Sequence, residues 1–215
     1  MKPLRILIAD DHELLRRGLA TTLAEVPGWS VVAEAADGRQ AVDLARSTRP
    51  DIAILDLTMP ELNGLDATRQ IVESGIGTKV IILTAHESEQ LVREVLDAGA
   101  RGYVLKSDAG RLLVRAVEAV MDGRPFFTSN VANVVLDGFL RSPSDSDGGA
   151  SALSAREREI VQLLAEGKSN KEVARVLGIT VKTAETHRSN IMRKMQFESL
   201  ADLVRYAVRN NIVSL

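Results

Sequence analysis

The stretch "LRILIADDH" (residues 4–12) decides the fold. Its apolar run is short and nearly unbroken, as a strand buried on both faces requires. It ends in two adjacent carboxylates, Asp10 and Asp11. Like charges that close repel. Either the pair is a solvated loop start, or something positive sits between the two acids.

Four more apolar runs follow, at Val31–Ala35, Ile52–Leu55, Lys79–Leu83 and Gly102–Leu105. Helical periodicity fills the gaps between and after them: 13–25, 38–48, 65–74, 88–98 and 108–121. Strictly alternating strands and helices predict a five-stranded parallel sheet, doubly wound, with helices on both faces. In such sheets ligands collect outside the carboxyl ends of the strands, where strand order reverses. At that edge the first strand ends in Asp10 and Asp11, the third in Asp56, the fourth in Thr84 and the fifth in Lys106. Each alone has a plain explanation: a solvated carboxylate, a loop hydroxyl, a snorkelling lysine. Falling together at one edge, they form a site.

The chemistry of that site is legible. Three converging carboxylates need a counter-charge, and Mg²⁺, a hard ion with oxygen ligands, supplies it. A metal, the Lys106 ammonium and the Thr84 hydroxyl around a carboxylate suit a phosphoryl group. Asp56 is the natural nucleophile.

Composition narrows the rest. The 215 residues contain no cysteine, which removes disulfides, thiolate metal sites and cysteine nucleophiles together. No apolar run approaches the ~20 residues of a membrane span, and Asp10 and Asp11 interrupt the first apolar stretch where a signal peptide would need continuity. A cytoplasmic protein with no membrane partner is expected. Charge is uneven: residues 1–125 hold 15 basic and 19 acidic side chains (net −4), 126–150 hold 1 and 3 (net −2), and 151–215 hold 11 and 7 (net +4). The segment "SNVANVVLDGFL" (129–140) has the apolar stripe of a connector helix, and "RSPSDSDGGASA" (141–152) has nothing to bury and reads as a flexible linker. The expected domains are 1–125, a connector and linker over 126–152, and 153–215.

The last segment is all-helical. Ser154 with Glu157 and Ser169 with Glu172 each spell a capping box. Gly167 and Gly178 end the helices they open, Thr180 caps "VKTAETHRSNIMRKM" (181–195), and Ser199 with Asp202 caps a fourth helix. A short helix, a Gly turn and a longer helix make a helix-turn-helix. On the third helix Ala184, His187, Ile191 and Met195 should face the core, with Lys182, Glu185, Thr186, Ser189 and Arg193 opposite. A polar face can be merely solvated, and four helices can dock protein. The basic charge and the mixture of cations with small hydrogen-bonding side chains favour DNA. On the fourth helix Leu200, Leu203, Val204 and Ala207 offer a stripe for a dimer contact or for the domain's own core.

"ADDH", "DLTMPELNG", "LTAH" and "GYVLK" resemble the signature of bacterial response-regulator receiver domains over about residues 4–122. "LSAREREIV", "GKSNKEVARVLGIT" and "VKTAETHRSNIMRKM" resemble the LuxR-type DNA-binding domain, which together with the receiver is the arrangement of the NarL/FixJ class. The resemblance implies a flavodoxin-like receiver and a four-helix helix-turn-helix domain. It implies that a sensor histidine kinase phosphorylates Asp56, that Mg²⁺ is held by Asp10, Asp11, Asp56 and the Thr58 carbonyl, and that Lys106, Thr84 and Tyr103 read the phosphoryl group. The acceptor would slowly hydrolyse its own acyl phosphate, a property that family members tune at the positions of Thr58 and His86. The loop that Pro60 stiffens would turn at Gly64 with positive φ, and Ser107 or Asp108, standing where many receivers have Pro, would cap the next helix. In the second domain the resemblance puts Glu185, Thr186 and Ser189 at base-reading positions, and Lys182, Thr183, Arg188, Asn190 and Arg193 among the DNA contacts. Partners would be promoter DNA, a second copy on phosphorylation, and RNA polymerase. Some family members have Lys where Glu185 stands, and a Glu there could accept from a cytosine amine or simply repel the backbone.

Two other classes are open to the same residues. A hydrolase with an Asp56 nucleophile would want a second acid two residues on, where Thr58 stands. A regulator that senses a small molecule would want an apolar pocket in the aromatic-poor first half.

Overall fold

The computed structural model describes residues 3–85, 88–128 and 153–213. The connector helix and linker expected over 129–152, and His86, lie outside the described residues. The chain forms two compact units, taken here one at a time.

The first unit is built as β1 (Leu4–Ala9), α1 (Glu13–Ala24), β2 (Trp29–Ala35), α2 (Gly38–Thr48), β3 (Ile52–Asp56), α3 (Gly64–Glu73), β4 (Lys79–Thr84), α4 (Glu89–Asp97), β5 (Gly102–Leu105), α5 (Ala109–Met121) and β6 (Phe126–Phe127). The sheet order is β2-β1-β3-β4-β5-β6, parallel throughout. Strand order reverses between β1 and β3, so Asp10, Asp11 and Asp56 all emerge at the switch point.

The strand count corrects the expectation: among the described residues the sheet has six strands, not five. Phe126 and Phe127 pair with Gly102 and Tyr103 and carry the sheet past the boundary expected at residue 125. A two-residue strand has no periodicity to detect. It forms because α5 returns the chain beside the edge strand β5.

The interior strands bury both faces, which explains their unbroken Ile, Val and Leu. Ile6, Ile8, Ile52, Ile54, Ile81, Leu83 and Val104 meet Leu19 and Leu23 of α1 and Leu113, Val117 and Val120 of α5. The alternate residues Leu7, Leu55 and Ile82 are as fully buried, on the face where α2 and α3 lie against β1, β3 and β4. Each such side chain contributes roughly 1.5–3 kcal/mol.

The second unit is α6 (Ala155–Ala165), α7 (Asn170–Leu177), α8 (Val181–Lys194) and α9 (Leu200–Arg209). All four caps form as read: reciprocal boxes at Ser154/Glu157, Ser169/Glu172 and Ser199/Asp202, and Thr180 accepting from the Thr183 N–H. Gly178, at φ +63°, ends α7 in the left-handed region that lets α8 turn away. Ile160, Leu163, Leu164, Val173, Ala184, Ile191, Leu203 and Ala207 form the core. On α9, then, Leu203 and Ala207 belong to the domain's own core, while Leu200 is 42% exposed. Among the described residues no helix is long and apolar enough to cross a membrane.

Candidate functional site

Lys106 Nζ lies 2.9 Å from Asp10 Oδ2 and 2.9 Å from Asp56 Oδ2. Both carboxylates are almost fully buried, and a 3₁₀ turn over Lys106–Asp108 directly after β5 delivers the ammonium to them. Burial pushes the Asp56 carboxyl up to about 6, against the opposing pull of the Lys106 hydrogen bond and charge; the Asp10 charge pushes the same way as burial. Burial pulls Lys106 down, but its hydrogen bonds to Asp56 and Asp10 outweigh that and hold it above its ordinary value.

Asp10 is pinned from two sides. Its Oδ1 accepts from the His12 N–H at 2.8 Å, and its backbone carbonyl accepts from Arg16 Nη1 at 2.6 Å. Arg16 also reaches Glu34 of β2, with Nε 3.3 Å from Oε2. Asp11 is exposed and pairs with His12 Nδ1 at 2.8 Å. Asp10, Asp11, His12 and Asp56 each place one ligand atom within 4.8 Å of the others. Three of those donors are carboxylate oxygens, so the set suits a hard divalent cation. The Thr58 backbone hydrogen-bonds to the Asp56 carboxylate.

Thr84 and Tyr103 are both buried, and Tyr103 is 0% exposed. The register pairs Ile82 with Tyr103 and Thr84 with Leu105, so Thr84 and Tyr103 share one face of the sheet on adjacent strands. The aromatic ring therefore occupies an inward position.

Two loop expectations need correcting. Gly64 does not have positive φ; Glu61 does, at +65°. Gly64 is required by close approach instead, because a Cβ there would lie 2.0 Å from the Asp56 carbonyl oxygen. Ser107 and Asp108 make no side-chain cap; Asp108 pairs with Arg111 at 3.0 Å while the 3₁₀ turn leads into α5.

In the second unit α8 presents Lys182, Thr183, Glu185, Thr186, Ser189, Asn190 and Arg193 to solvent, with Arg188 half-buried. Ala184 and Ile191 anchor the opposite side, and His187 and Met195 are half-buried. Several of the outward groups are already engaged: Thr183 Oγ1 with Thr180 Oγ1 at 2.8 Å, Thr186 Oγ1 donating to the Lys182 carbonyl at 2.9 Å, Arg193 Nη2 donating to Asn190 Oδ1 at 2.9 Å, and Arg188 Nη1 at 3.5 Å from Asn170 Oδ1.

Contacts that sequence spacing does not reveal hold this helix in place. Glu157 accepts from Lys194 Nζ at 2.7 Å, which ties the α6 capping box to the last turn of α8. That bond, with help from Ser154, holds the Glu157 carboxyl below its ordinary value. Arg156 Nη2 donates to the Leu177 carbonyl at 3.0 Å and closes the end of α7. The Arg16–Glu34 pair is of the same kind, since it joins α1 to β2 across a loop that sequence spacing does not relate.

A doubly wound receiver with an acid–lysine pocket, followed by a capped helix-turn-helix, defines a transcriptional response regulator. The family comparisons agree: residues 6–118 match the response regulator receiver domain, and residues 151–207 match the bacterial regulatory proteins of the luxR family. The chain belongs to the NarL/FixJ class of response regulators. It is 38% identical to the transcriptional regulatory protein LiaR of Bacillus subtilis, over 98% of this chain and all of that one. It is 37% identical to the oxygen regulatory protein NreC of Staphylococcus epidermidis, over 98% of this chain and 99% of that one. Among solved structures, a LuxR-family response regulator from Aurantimonas superposes with TM-score 0.60 at 37% identity, covering 65% of this chain and 99% of its own. The response regulator RcsB in complex with DNA superposes with TM-score 0.58 at 26% identity, covering 95% of this chain and 97% of its own.

Proposed function

We propose that residues 1–125 are a phosphoacceptor receiver, that 126–152 connect and link, and that 153–215 bind promoter DNA under receiver control. A cognate histidine kinase is the donor. One Asp56 carboxylate oxygen attacks phosphorus, the bond from phosphorus to the donor imidazole nitrogen breaks, and its electron pair leaves with the imidazole. Asp10, Asp11, Asp56 and the Thr58 carbonyl would hold Mg²⁺, which when bound offsets the charge gathered by acids and phosphoryl oxygens. Lys106 releases Asp56 Oδ2 and pairs with a phosphoryl oxygen instead. The Thr84 hydroxyl donates to another, and the Tyr103 ring is held inward behind it. Water later cleaves the acyl phosphate slowly at the same site.

The observation that carries this reading is the single half-buried ammonium shared by the buried Asp10 and Asp56. A new dianion at Asp56 must redistribute that charge, and the surface of α4, β5 and α5 answers. Dimerisation on a two-fold site follows, with α8 in the major groove. Lys182, Thr183, Arg188, Asn190 and Arg193 hold backbone phosphates, and Glu185, Thr186 and Ser189 face base edges. RNA polymerase is the downstream contact, and the cytoplasm the setting. A ligand shifts such an equilibrium only by its differential affinity, so unphosphorylated protein keeps some DNA binding.

The test is intact-protein mass after incubation with acetyl phosphate, with and without Mg²⁺, beside Asp56→Asn. A Mg²⁺-dependent gain of one phosphoryl group, absent in the variant, is expected. No gain by folded protein would sink the phosphoacceptor reading.

A further inference from the structure

We infer that Glu185 is the residue that sets base specificity, and that it selects cytosine at one position of each half-site. The inference rests on the DNA-binding reading of α8. Its starting point is an exposed carboxylate left uncommitted among cations. Lys182 and Arg188 flank Glu185 at three residues' spacing, where helical ion pairs form. Neither pairs with it: Arg188 turns to Asn170, and among the described residues Glu185 makes no hydrogen bond or ion pair.

The neighbours on the same face discriminate less. The Thr186 hydroxyl proton is spent on the Lys182 carbonyl, which leaves Thr186 an acceptor. Ser189 can donate or accept and so tolerates either kind of base edge. Glu185 alone is charged and accepts only.

The groove itself then decides the base. Phosphates on both walls disfavour a carboxylate unless a donor meets it directly. In the major groove guanine shows the N7 and O6 acceptors, and thymine shows O4 and a methyl group. Both repel. Adenine offers its N6 amine, but with the N7 acceptor beside it. Cytosine offers its N4 amine with no neighbouring acceptor, so the expected order is cytosine, then adenine, with thymine and guanine last.

The charge has a second consequence. It weakens the sequence-independent attraction that phosphates exert on Lys182, Arg188 and Arg193. Removing it raises affinity for unrelated DNA while lowering discrimination. Glu185 thus widens the gap between specific and non-specific binding from both sides.

The experiment is selection from a random DNA library with the full chain, after acetyl phosphate and Mg²⁺, for wild type, Glu185→Ala, Glu185→Gln and Glu185→Lys. Wild type should enrich a two-fold site with cytosine at one position per half-site. Glu185→Ala should lose preference there, by about 5- to 150-fold in the affinity ratio, and bind unrelated DNA more tightly. Glu185→Gln should shift the position towards adenine, because an amide can donate to N7 and accept from N6, and Glu185→Lys towards guanine, because an ammonium donates to N7 and O6. The same enriched site in all four proteins would overturn the inference and leave DNA binding intact. Failure of wild type to enrich any site would overturn both.

Discussion

Lys106 and Asp56 form a 2.9 Å ion pair at the carboxyl end of the sheet, and the same ammonium nitrogen lies 2.9 Å from Asp10. One positive charge therefore serves two buried negative ones.

That arrangement has a pH signature. Asp56 titrates at about 6 in the fold against 3.8 in the unfolded chain, so the fold binds this proton more tightly. The stabilising contribution is full below the unfolded value and is lost as pH rises through about 6. Metal-free wild type should lose roughly 2 kcal/mol relative to Asp56→Asn between pH 4 and pH 7.5. Trp29, the single tryptophan, lies in β2 and reports unfolding of this domain. Equal pH profiles for the two proteins would show that Asp56 is ionised without strain.

Removing the ammonium should hurt more. Lys106→Ala leaves two buried carboxylates facing each other and should cost about 2–4 kcal/mol at neutral pH, because a buried charge that loses its partner is expensive. Mg²⁺ should restore more stability to the variant than to wild type, since the ion supplies the missing charge. Trp29 melts with and without Mg²⁺ decide it; an identical Mg²⁺ response in both proteins would contradict the shared-charge account.

Arg16 should act on the metal without touching it. It holds the Asp10 carbonyl at 2.6 Å and braces against Glu34. Arg16→Ala should raise the Mg²⁺ needed for half-maximal labelling by acetyl phosphate about tenfold, as loss of outer support for metal ligands typically does. A change in melting temperature with no change in the Mg²⁺ midpoint would make Arg16 purely structural.

Gly64 lets the start of α3 approach the end of β3 closely. Gly64→Ala places a methyl 2.0 Å from the Asp56 carbonyl oxygen, and the loop must move. A loss of about 2–3 kcal/mol is expected, together with slower labelling of Asp56. Both are read from one preparation by Trp29 unfolding and intact mass. Normal labelling at reduced stability would show that the loop shifts away without disturbing the acceptor.

Much of this was legible before any coordinates. Short unbroken Ile, Val and Leu runs alternating with helical segments read as strands buried on both faces, and the rule that ligands sit beyond their carboxyl ends gathers Asp10, Asp56, Thr84 and Lys106 from four separate segments. The caps at Ser154, Ser169, Thr180 and Ser199 are local chemistry, decided within three residues, and all of them form as read. Gly64 was identified for the wrong reason, because a sequence distinguishes neither a φ constraint nor a close approach.

What the amino-acid order determines by itself is periodicity, capping and the placement of polar residues at strand ends, since these depend on neighbours along the chain. Only the tertiary structure decides that one ammonium bridges two carboxylates, that Arg16 braces the Asp10 loop against Glu34, that Glu157 ties α6 to α8, and that the Glu185 carboxylate is left without a partner among the described residues. Each of those depends on distances between side chains brought together, or kept apart, by folding, where an ångström separates a hydrogen bond from none.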